Sequence, residues 1–174
     1  MLIRSRTWFL FALVAAVLYA ADQLSKRAAL EALSDGKDIS VVGDLLQLHL
    51  TRNPGAAFSL GTEFTVGLSA LAILATLVVL WVSRRVADLV WAVGLGALLA
   101  GITGNLTDRL VRDPAPFRGH VIDFLQLPNW PIFNVADIAI NVGAALALLQ
   151  VFRGIRLDGT RHESEEHEQS EDDE

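Results

Sequence analysis

The segment that decides the fold is FNVADIAINVGAALALLQVF, residues 133–152. Residues 138–152 are almost all apolar, and the segment is close to the ~20 residues that cross a ~30 Å hydrocarbon core as a helix. Asp137 lies where the apolar run begins. A carboxylate at the edge of a membrane helix is costly to keep and is usually functional. The segment therefore predicts a transmembrane helix with a functional acid at one end.

Three further apolar blocks have the length of membrane spans. The four predicted spans are roughly residues 7–24, 64–82, 86–106 and 132–152, with outer loops at 25–63 and 107–131. Hydrophobic residues make up 52% of the chain, a fraction that soluble domains also reach. The grouping of these residues into long blocks is therefore what indicates a membrane protein. Arg4 and Arg6 make the first block resemble a signal peptide as well. The later blocks still predict an all-α integral membrane protein with four transmembrane helices.

Arginine residues indicate the orientation of the spans. Basic residues occur in similar numbers on both sides, but on one side they lie in short segments without acids. That group is Arg4, Arg6, Arg84, Arg85, Arg153 and Arg156. Positive charge in short loops marks the cytoplasmic side, so both termini are expected in the cytoplasm. The unusual polar residues then gather at the outer face, which favours a site there over a pore.

The first outer loop contains the pattern of a short strand. Residues 44–51 alternate partly between polar and apolar side chains, as an amphipathic strand does. Pro54 and Gly55 follow, and these residue types favour a turn. We therefore expect a small β-containing extracytoplasmic subdomain on the membrane surface.

Residues 158–174, DGTRHESEEHEQSEDDE, are strongly acidic. Such a composition is typical of disordered segments. We therefore divide the chain into a four-helix membrane domain, residues 1–157, and a disordered cytoplasmic tail, residues 158–174. No basic stripe predicts nucleic-acid binding. The absence of cysteine excludes disulfides and thiol chemistry.

The third span carries small and polar residues along one face. Helical spacing places together Gly94, Ala97, Gly101, Asn105 and Asp108. Small residues permit close helix contact, so packing explains the glycines. Asn105 and Asp108, with Arg109 beside them, extend the stripe to the outer surface, where we interpret them as functional.

Asn134, Asp137 and Asn141 share a face of the fourth span. A purely structural interpretation makes Asn134 the N-cap and Asp137 a first-turn acid favoured by the helix dipole. It explains neither Asn141 nor Asp123, which lies in the mostly apolar stretch GHVIDFLQL, residues 119–127. Burial among apolar neighbours raises the pKa of a carboxyl group. Two carboxylates that meet in a partly dry site can share one proton, which is the minimum requirement for aspartyl hydrolysis.

Other candidate sites are weaker. His162 and His167 are five residues apart, so they do not share a helix face as the zinc ligands of HExxH do, and no metal site is expected. Ser69 lies inside an apolar block without the GxSxG pattern of a serine hydrolase. His120 precedes Asp123 by three residues and would at most tune it.

Five stretches resemble, in order, the motifs of one family. They are DQLSK (22–26), RNPGAAF (52–58), GNLTDR (104–109), VIDF (121–124) and FNVAD (133–137). In these stretches the chain resembles the bacterial lipoprotein signal peptidases, also called type II signal peptidases. The resemblance covers nearly the whole chain except the acidic tail.

The resemblance implies an aspartyl endopeptidase of the bacterial cytoplasmic (inner) membrane that cleaves diacylglyceryl-prolipoproteins before the lipidated cysteine. It implies Asp123 and Asp137 as the catalytic dyad. Substrate-binding roles are implied for Asn53, Asn105, Arg109 and Asn134, and supporting roles for Asp22, Gly104, Asp108 and Asn141. No cofactor is expected, globomycin is the expected inhibitor, and a monomer in membrane lipid would enclose the site. Many members have a small hydroxyl residue where this chain has Ile138.

Two other classes of protein stay open at this point. A proton-coupled transporter could use the same carboxylates as a relay, but it predicts acids spread through the membrane depth and discontinuous or repeated helices. A structural scaffold would leave the pairing of Asp123 with Asp137 without purpose. The gathering of acids at one interface favours the peptidase.

Overall fold

The computed structural model describes residues 2–55 and 63–161. Its elements are α1 (Leu2–Ala32), β1 (Ile39–Val42), β2 (Leu46–Asn53), α2 (Glu63–Ser83), α3 (Leu89–Val111), β3 (Val121–Gln126) and α4 (Val135–Phe152). Residues 56–58 of the RNPGAAF stretch and tail residues 162–174, with both tail histidines, lie outside the described residues. The predicted tail begins at Asp158, and its first residues turn back so that Arg156 N donates to Thr160 O.

The four helices are long and apolar enough to cross a membrane. They contain 31, 21, 23 and 18 residues, which corresponds to about 27–46 Å at ~1.5 Å per residue. Each approaches or exceeds the ~30 Å hydrocarbon core. The predicted four-span membrane fold is confirmed.

The first helix is longer than the predicted span. It ends at Ala32, so residues 25–32 of the segment predicted as the first outer loop are helical. The additional residues, SKRAALEA, are mostly strong helix formers. Lys26 and Ala29 on this part of α1 are buried, so tertiary packing stabilises the extension. α3 likewise continues to Val111, five residues beyond the predicted end of its span.

A three-stranded antiparallel sheet with the order β1-β2-β3 confirms the predicted β-containing subdomain. β2 corresponds to the alternating residues 44–51, whereas β3 was not predicted as a strand. Thr51 pairs with Asp123 and Asn53 pairs with Val121. Because β3 connects the end of α3 to the start of α4, it brings Asp123 close to the first turn of α4. We call this end of the bundle the sheet end, and the end with Ser83 and Phe152 the far end.

α3 contacts each of the other three helices and forms the centre of the bundle. A Cβ atom at Gly101 would clash with the carbonyl oxygen of Ala136 and lie 2.6 Å from Ile140 Cγ1, and one at Gly94 would lie 3.3 Å from the carbonyl oxygen of Gly143. Larger residues at these positions would push the backbones apart. The predicted packing role of the small-residue stripe is confirmed.

The burial pattern is the reverse of that in a soluble protein. Large apolar side chains cover the outside of the bundle, among them Leu71 and Phe152, which are 60% and 85% exposed. The buried residues include the charged side chains of Lys26, Asp108 and Asp123. The fold therefore presents an apolar surface to lipid and collects its buried charges at the sheet end.

Candidate active site

Asp123 lies within β3 and is buried, with 2% of its surface exposed. Asn53 Nδ2 donates a 2.9 Å hydrogen bond to Asp123 Oδ2, and Asn134 Nδ2 donates a 2.6 Å hydrogen bond to Asp123 Oδ1. Burial raises the pKa of Asp123 to about 6. The two amide donors and the charge of Lys26 oppose this rise in pKa, whereas the charge of Asp137 adds to it. The predicted rise is confirmed.

Asp137 lies in the first turn of α4 and forms a capping box with Asn134. Asp137 N donates to Asn134 Oδ1 at 2.9 Å, and Asn134 N donates to Asp137 Oδ2 at 3.1 Å. The structural interpretation of these two residues is therefore correct as geometry. Capping does not account for Asp137 Oδ1, which accepts a 2.9 Å hydrogen bond from Asn105 Nδ2 on α3.

Asn134 connects the two carboxylates. Its side chain is completely buried, and its Nδ2 donates both to Asp123 Oδ1 and, at 3.1 Å, to Asn105 Oδ1. Its Oδ1 and its backbone N–H hold Asp137. The two aspartates thus belong to one buried hydrogen-bonded network, in which carboxylates can share a proton.

Two further acids fix the elements that carry this network. Asp22 Oδ1 accepts a 2.9 Å hydrogen bond from Ala136 N, which ties α1 to the first turn of α4. Asp108 Oδ2 accepts a 3.3 Å hydrogen bond from Ile122 N, which ties α3 to β3. Gly104 leaves room for the first contact, because a Cβ there would lie 2.6 Å from Asp22 Oδ2. Asp22 and Asp108 thus hold the elements that carry Asp137 and Asp123, and Gly104 leaves space for Asp22.

Lys26 was not predicted as a site residue, although it ends the DQLSK stretch, residues 22–26. Its side chain is 0% exposed and forms ion pairs with Asp22 Oδ2 at 2.9 Å and Asp108 Oδ2 at 2.8 Å. Lys26 Nζ also donates to Asn105 Oδ1 at 2.9 Å. The available signal was the i,i+4 spacing of Asp22 and Lys26, which places both on one face of a helix.

Arg109 and Asn141 occupy the edge of the site. Arg109 Nη1 donates to Asn105 O at 3.3 Å, while its Nε is buried without a hydrogen-bond partner among the described residues. The Arg109 guanidinium interacts electrostatically with both Asp123 and Asp137. Asn141 is exposed and its amide donates to the backbone carbonyl of Asp137 rather than to a carboxylate, so the structure does not place Asn141 in the network.

A groove of about 220 Å³ runs along α4 beside Asp137. It is lined by Trp130, Phe133, Asp137, Ile138, Asn141 and Val142. Ile138 and Val142 are 44% and 48% exposed, so the groove lies on the lipid-facing surface of the bundle. It can place an apolar chain beside a carboxylate.

Ser69 and His120, the two weaker candidates in the described part of the chain, do not join the site. Ser69 is buried, and its Oγ lies within hydrogen-bond distance of the carbonyl oxygens of Thr65 and Phe117, which gives it a structural role. His120 lines a separate cavity of about 310 Å³ together with Arg52 and Arg112.

The chain is similar to the Peptidase_A8 family, described as signal peptidase (SPase) II, over residues 14–153. A lipoprotein signal peptidase of Leifsonia xyli is 46% identical over 157 residues, which are 90% of this chain and 73% of the relative. The lipoprotein signal peptidase of Mycobacterium leprae is 43% identical over 83% of this chain and 72% of the relative. That of Mycobacterium tuberculosis is 42% identical over 86% and 75%.

Two solved structures share the fold. Both are described as a bacterial membrane enzyme studied by the in meso method, one at 1.9 Å and one at 2.3 Å resolution. The first superposes with a TM-score of 0.74 at 23% identity, over 82% of this chain and 92% of the other. The second has a TM-score of 0.70 at 24% identity, over 82% and 87%. With most of its length matched by family and relatives alike, the chain belongs to the signal peptidase II family.

Proposed function

We propose that this chain is an aspartyl endopeptidase that removes the signal peptide from diacylglyceryl-modified prolipoproteins by cleaving before the lipidated cysteine. Its family, and the name lipoprotein signal peptidase that its relatives bear, support the substrate class. One observation carries the chemistry: Asn134 hydrogen-bonds to Asp123 and to Asp137 at once. A transporter would need acids at several depths of the membrane, whereas Asp123 and Asp137 share one network at the sheet end.

Hydrolysis by such a pair requires one ionised and one protonated carboxyl group. We assign the proton to Asp123, because burial raises its pKa to about 6. We assign the base to Asp137, because it is partly exposed and lines the groove. Since the groups are coupled, the proton belongs to the pair as much as to one residue.

In the reaction, Asp137 takes a proton from water while the water oxygen attacks the scissile carbonyl carbon. Asp123 hydrogen-bonds to the carbonyl oxygen and then transfers its proton to the leaving nitrogen. The C–N bond breaks, which leaves a new carboxyl group on the signal peptide and a free amine on the lipidated cysteine. The proton on Asp137 then returns to Asp123 within the pair.

The remaining residues expected to bind substrate divide into two groups. Asn53, Asn105 and Asn134 donate hydrogen bonds to the two carboxylates, so we assign them first to orienting the dyad. Arg109 has a buried Nε without a partner among the described residues. We assign it to a carbonyl oxygen of the substrate, which would satisfy this donor.

The groove beside Asp137 fits a substrate that is partly lipid. Its exposed apolar wall, with Ile138 and Val142, would accept an acyl chain or an apolar side chain directly from the bilayer. We expect globomycin to compete for the same site. Ile138 would narrow the groove compared with the small hydroxyl residue expected at this position.

We place the sheet end at the outer face of the bacterial cytoplasmic membrane, with both termini inside. Arg84 and Arg85 between α2 and α3, and Arg153 and Arg156 after α4, lie at the far end in short segments, as the positive-inside rule requires. We propose that the protein acts as a monomer, because every residue of the network comes from one chain.

The test is cleavage by the purified protein in lipid vesicles. Two forms of one prolipoprotein are compared, one with the diacylglyceryl group on the cysteine and one without it. We expect cleavage of the lipidated form only, a product that begins with the lipidated cysteine by mass spectrometry, and inhibition by globomycin. Absence of cleavage by folded protein, in vesicles and in detergent, would contradict the proposal. Proton uptake driven by a solute gradient would then favour the transporter.

A further inference from the structure

We propose that Lys26 is a positioning residue that holds both aspartates of the dyad in place without forming an ion pair with either. The inference rests on the proposed function, since it takes Asp123 and Asp137 as the reacting groups. It concerns how their geometry is maintained.

Every hydrogen of the Lys26 ammonium group has an acceptor. The acceptors are Asp22 Oδ2 at 2.9 Å, Asp108 Oδ2 at 2.8 Å and Asn105 Oδ1 at 2.9 Å. An ammonium group has three donors and no acceptor, so this set uses its full capacity. With a side chain that is 0% exposed, Lys26 cannot exchange these partners for water.

Two of these acceptors lead to Asp137. Asp22 Oδ1 accepts the hydrogen bond from Ala136 N, the residue directly before Asp137. Asn105 presents its oxygen to Lys26 and its Nδ2 to Asp137 Oδ1. A charge-assisted hydrogen bond is stronger than a neutral one, so the ammonium group favours the orientation of the amide that points a donor at Asp137.

The third acceptor leads to Asp123. Asp108 Oδ2 accepts hydrogen bonds from Lys26 Nζ and from Ile122 N, the residue directly before Asp123. Lys26 therefore joins the start of α4 to β3, the two elements that supply the carboxylates. A change at Lys26 would move both partners of the dyad relative to each other.

The charges around Lys26 come from several elements. They are Asp22 on α1, Asp108 with its partners Arg109 and Arg112 on α3, Asp123 on β3 and Asp137 on α4. Lys26 and Arg112 balance Asp22 and Asp108. The Lys26 charge also lowers the pKa of Asp123 from the value that burial alone would give. Lys26 thus influences the dyad through geometry and through charge.

The experiment compares Lys26→Met with a charge-balanced variant that combines Lys26→Met with Asp22→Asn. In the second variant Asn Oδ1 can still accept from Ala136 N, and Asp108 keeps Arg112, so no carboxylate is left buried without a cation. The matched control is Gln150→Leu, which removes a buried polar group at the far end. For each protein, kcat and KM for a diacylglyceryl-modified prolipoprotein are measured in vesicles as functions of pH, per folded enzyme.

We expect kcat to fall on the order of tenfold to hundredfold in both Lys26 variants, as for groups that orient metal ligands, with KM little changed. In Lys26→Met we also expect the decrease in activity that follows proton loss from Asp123 to move to higher pH, because a cation is removed without its counter-ion. Gln150→Leu should keep the pH profile and kcat of the intact protein.

An intact-like kcat in the charge-balanced variant would overturn the inference. A loss of rate in Lys26→Met that is equal at every pH, or confined to KM, would overturn it too. If both Lys26 variants fail to fold while Gln150→Leu folds, Lys26 serves folding and the inference is wrong. In each of these cases the intact protein still cleaves the prolipoprotein, so the result contradicts the role of Lys26 and not the proposed function.

Discussion

The two ends of the bundle each carry a partly buried polar cluster built on the first turn of a helix. At the far end, Asp88 caps α3, and its Oδ1 accepts hydrogen bonds from Trp91 N at 2.9 Å and Gln150 Nε2 at 2.7 Å. At the sheet end, Asn134 caps α4 and Asp137 completes the capping box. Each cluster joins two helices, and each satisfies backbone donors that a helix start would leave unpaired.

The two clusters differ in whether a second carboxylate lies close to the acid at the helix start. No second carboxylate contacts Asp88 in the described part of the chain, whereas Asn134 also donates to Asp123. A single acid at a helix start has a structural role, because the N–H donors around it stabilise its charged form. A second acid brought to the same cap creates competition for one proton. Capping and catalysis are therefore compatible roles for Asp137, and β3 makes the difference by delivering Asp123.

Neutralising single acids tests this comparison with the largest expected effect. Asp123→Asn and Asp137→Asn should each lower the rate of prolipoprotein cleavage by about 10²–10⁴-fold, because each removes one of the two groups that we propose as general acid and base. Asp88→Asn keeps a capping oxygen and should cleave at nearly the intact rate. Initial rates in vesicles, normalised to folded enzyme, give the comparison. Full activity in Asp123→Asn or in Asp137→Asn would contradict the proposal that the sheet-end cluster is catalytic and the far-end cluster is not.

Removing the shared amide should have the next largest effect. Asn134→Ala loses the donor to Asp123, and a buried acceptor left without a partner costs about 1–3 kcal/mol, so cleavage should slow about fivefold or more. It also loses the cap of α4, which costs about 1 kcal/mol. Asn53→Ala loses a donor to Asp123 but leaves Asp137 and the cap of α4 in place, so it should slow cleavage less. Equal effects of the two variants on kcat would contradict the linking role of Asn134.

The pH dependence should also separate the clusters. Asp123 has a pKa of about 6, raised by burial from 3.8, so kcat/KM should fall as pH rises through about 6 and the pair loses its shared proton. Because of the same shift in pKa, between pH 3.8 and about 6 the folded state keeps a proton on Asp123 that the unfolded state has lost. The contribution of Asp123 to stability should thus be full below pH 3.8 and be lost as pH rises through about 6.

Initial-rate kinetics from pH 4 to 8 measure the first effect, and thermal unfolding over the same range measures the second. Asp123→Asn should remove this part of the pH dependence of stability, and Asp88→Asn should keep it. A flat profile of kcat/KM across pH 6 in the intact protein would contradict the assignment of the proton to Asp123.

The smallest expected effect concerns the far end. Asp88→Ala removes the cap of α3 and the acceptor of Gln150, which should cost about 1 kcal/mol and lower the melting temperature by roughly 2–4 °C. The rate per folded enzyme should stay that of the intact protein, because α3 stays packed between α1 and α4. A large loss of kcat without a loss of stability would show that the far end takes part in the reaction.

The four spans could be predicted because apolar grouping is a local property of the sequence. The end of α1 could not be predicted in this way, because hydropathy changes at Asp22. The helix continues to Ala32 because residues 25–32 have high helix propensity and because Lys26 is buried. β3 was missed because a short apolar run around Asp123 has no periodicity of its own. It becomes a strand by pairing with β2, a contact between residues about 70 positions apart.

The candidate residues could be predicted, but their contacts could not. Helical spacing placed Asn134 and Asp137 on one face, and the family motifs pointed to Asp123. No sequence pattern shows that one amide reaches both acids, because that depends on the register of β3 against the first turn of α4. Lys26 is the clearest example, since a lysine near a membrane boundary is normally solvated and here is fully buried among acids.

In the proposed reaction, Asp123 and Asp137 activate a water molecule and do not themselves attack the substrate. The decisive measurement is a single turnover with excess enzyme in water enriched in ¹⁸O, with the released signal peptide analysed by mass spectrometry. We expect one ¹⁸O atom in the new carboxyl group in the first turnover and no label on either aspartate. A first-turnover product without ¹⁸O, followed by label on Asp123 or Asp137, would show that a carboxylate is the nucleophile and that the proposed mechanism is wrong.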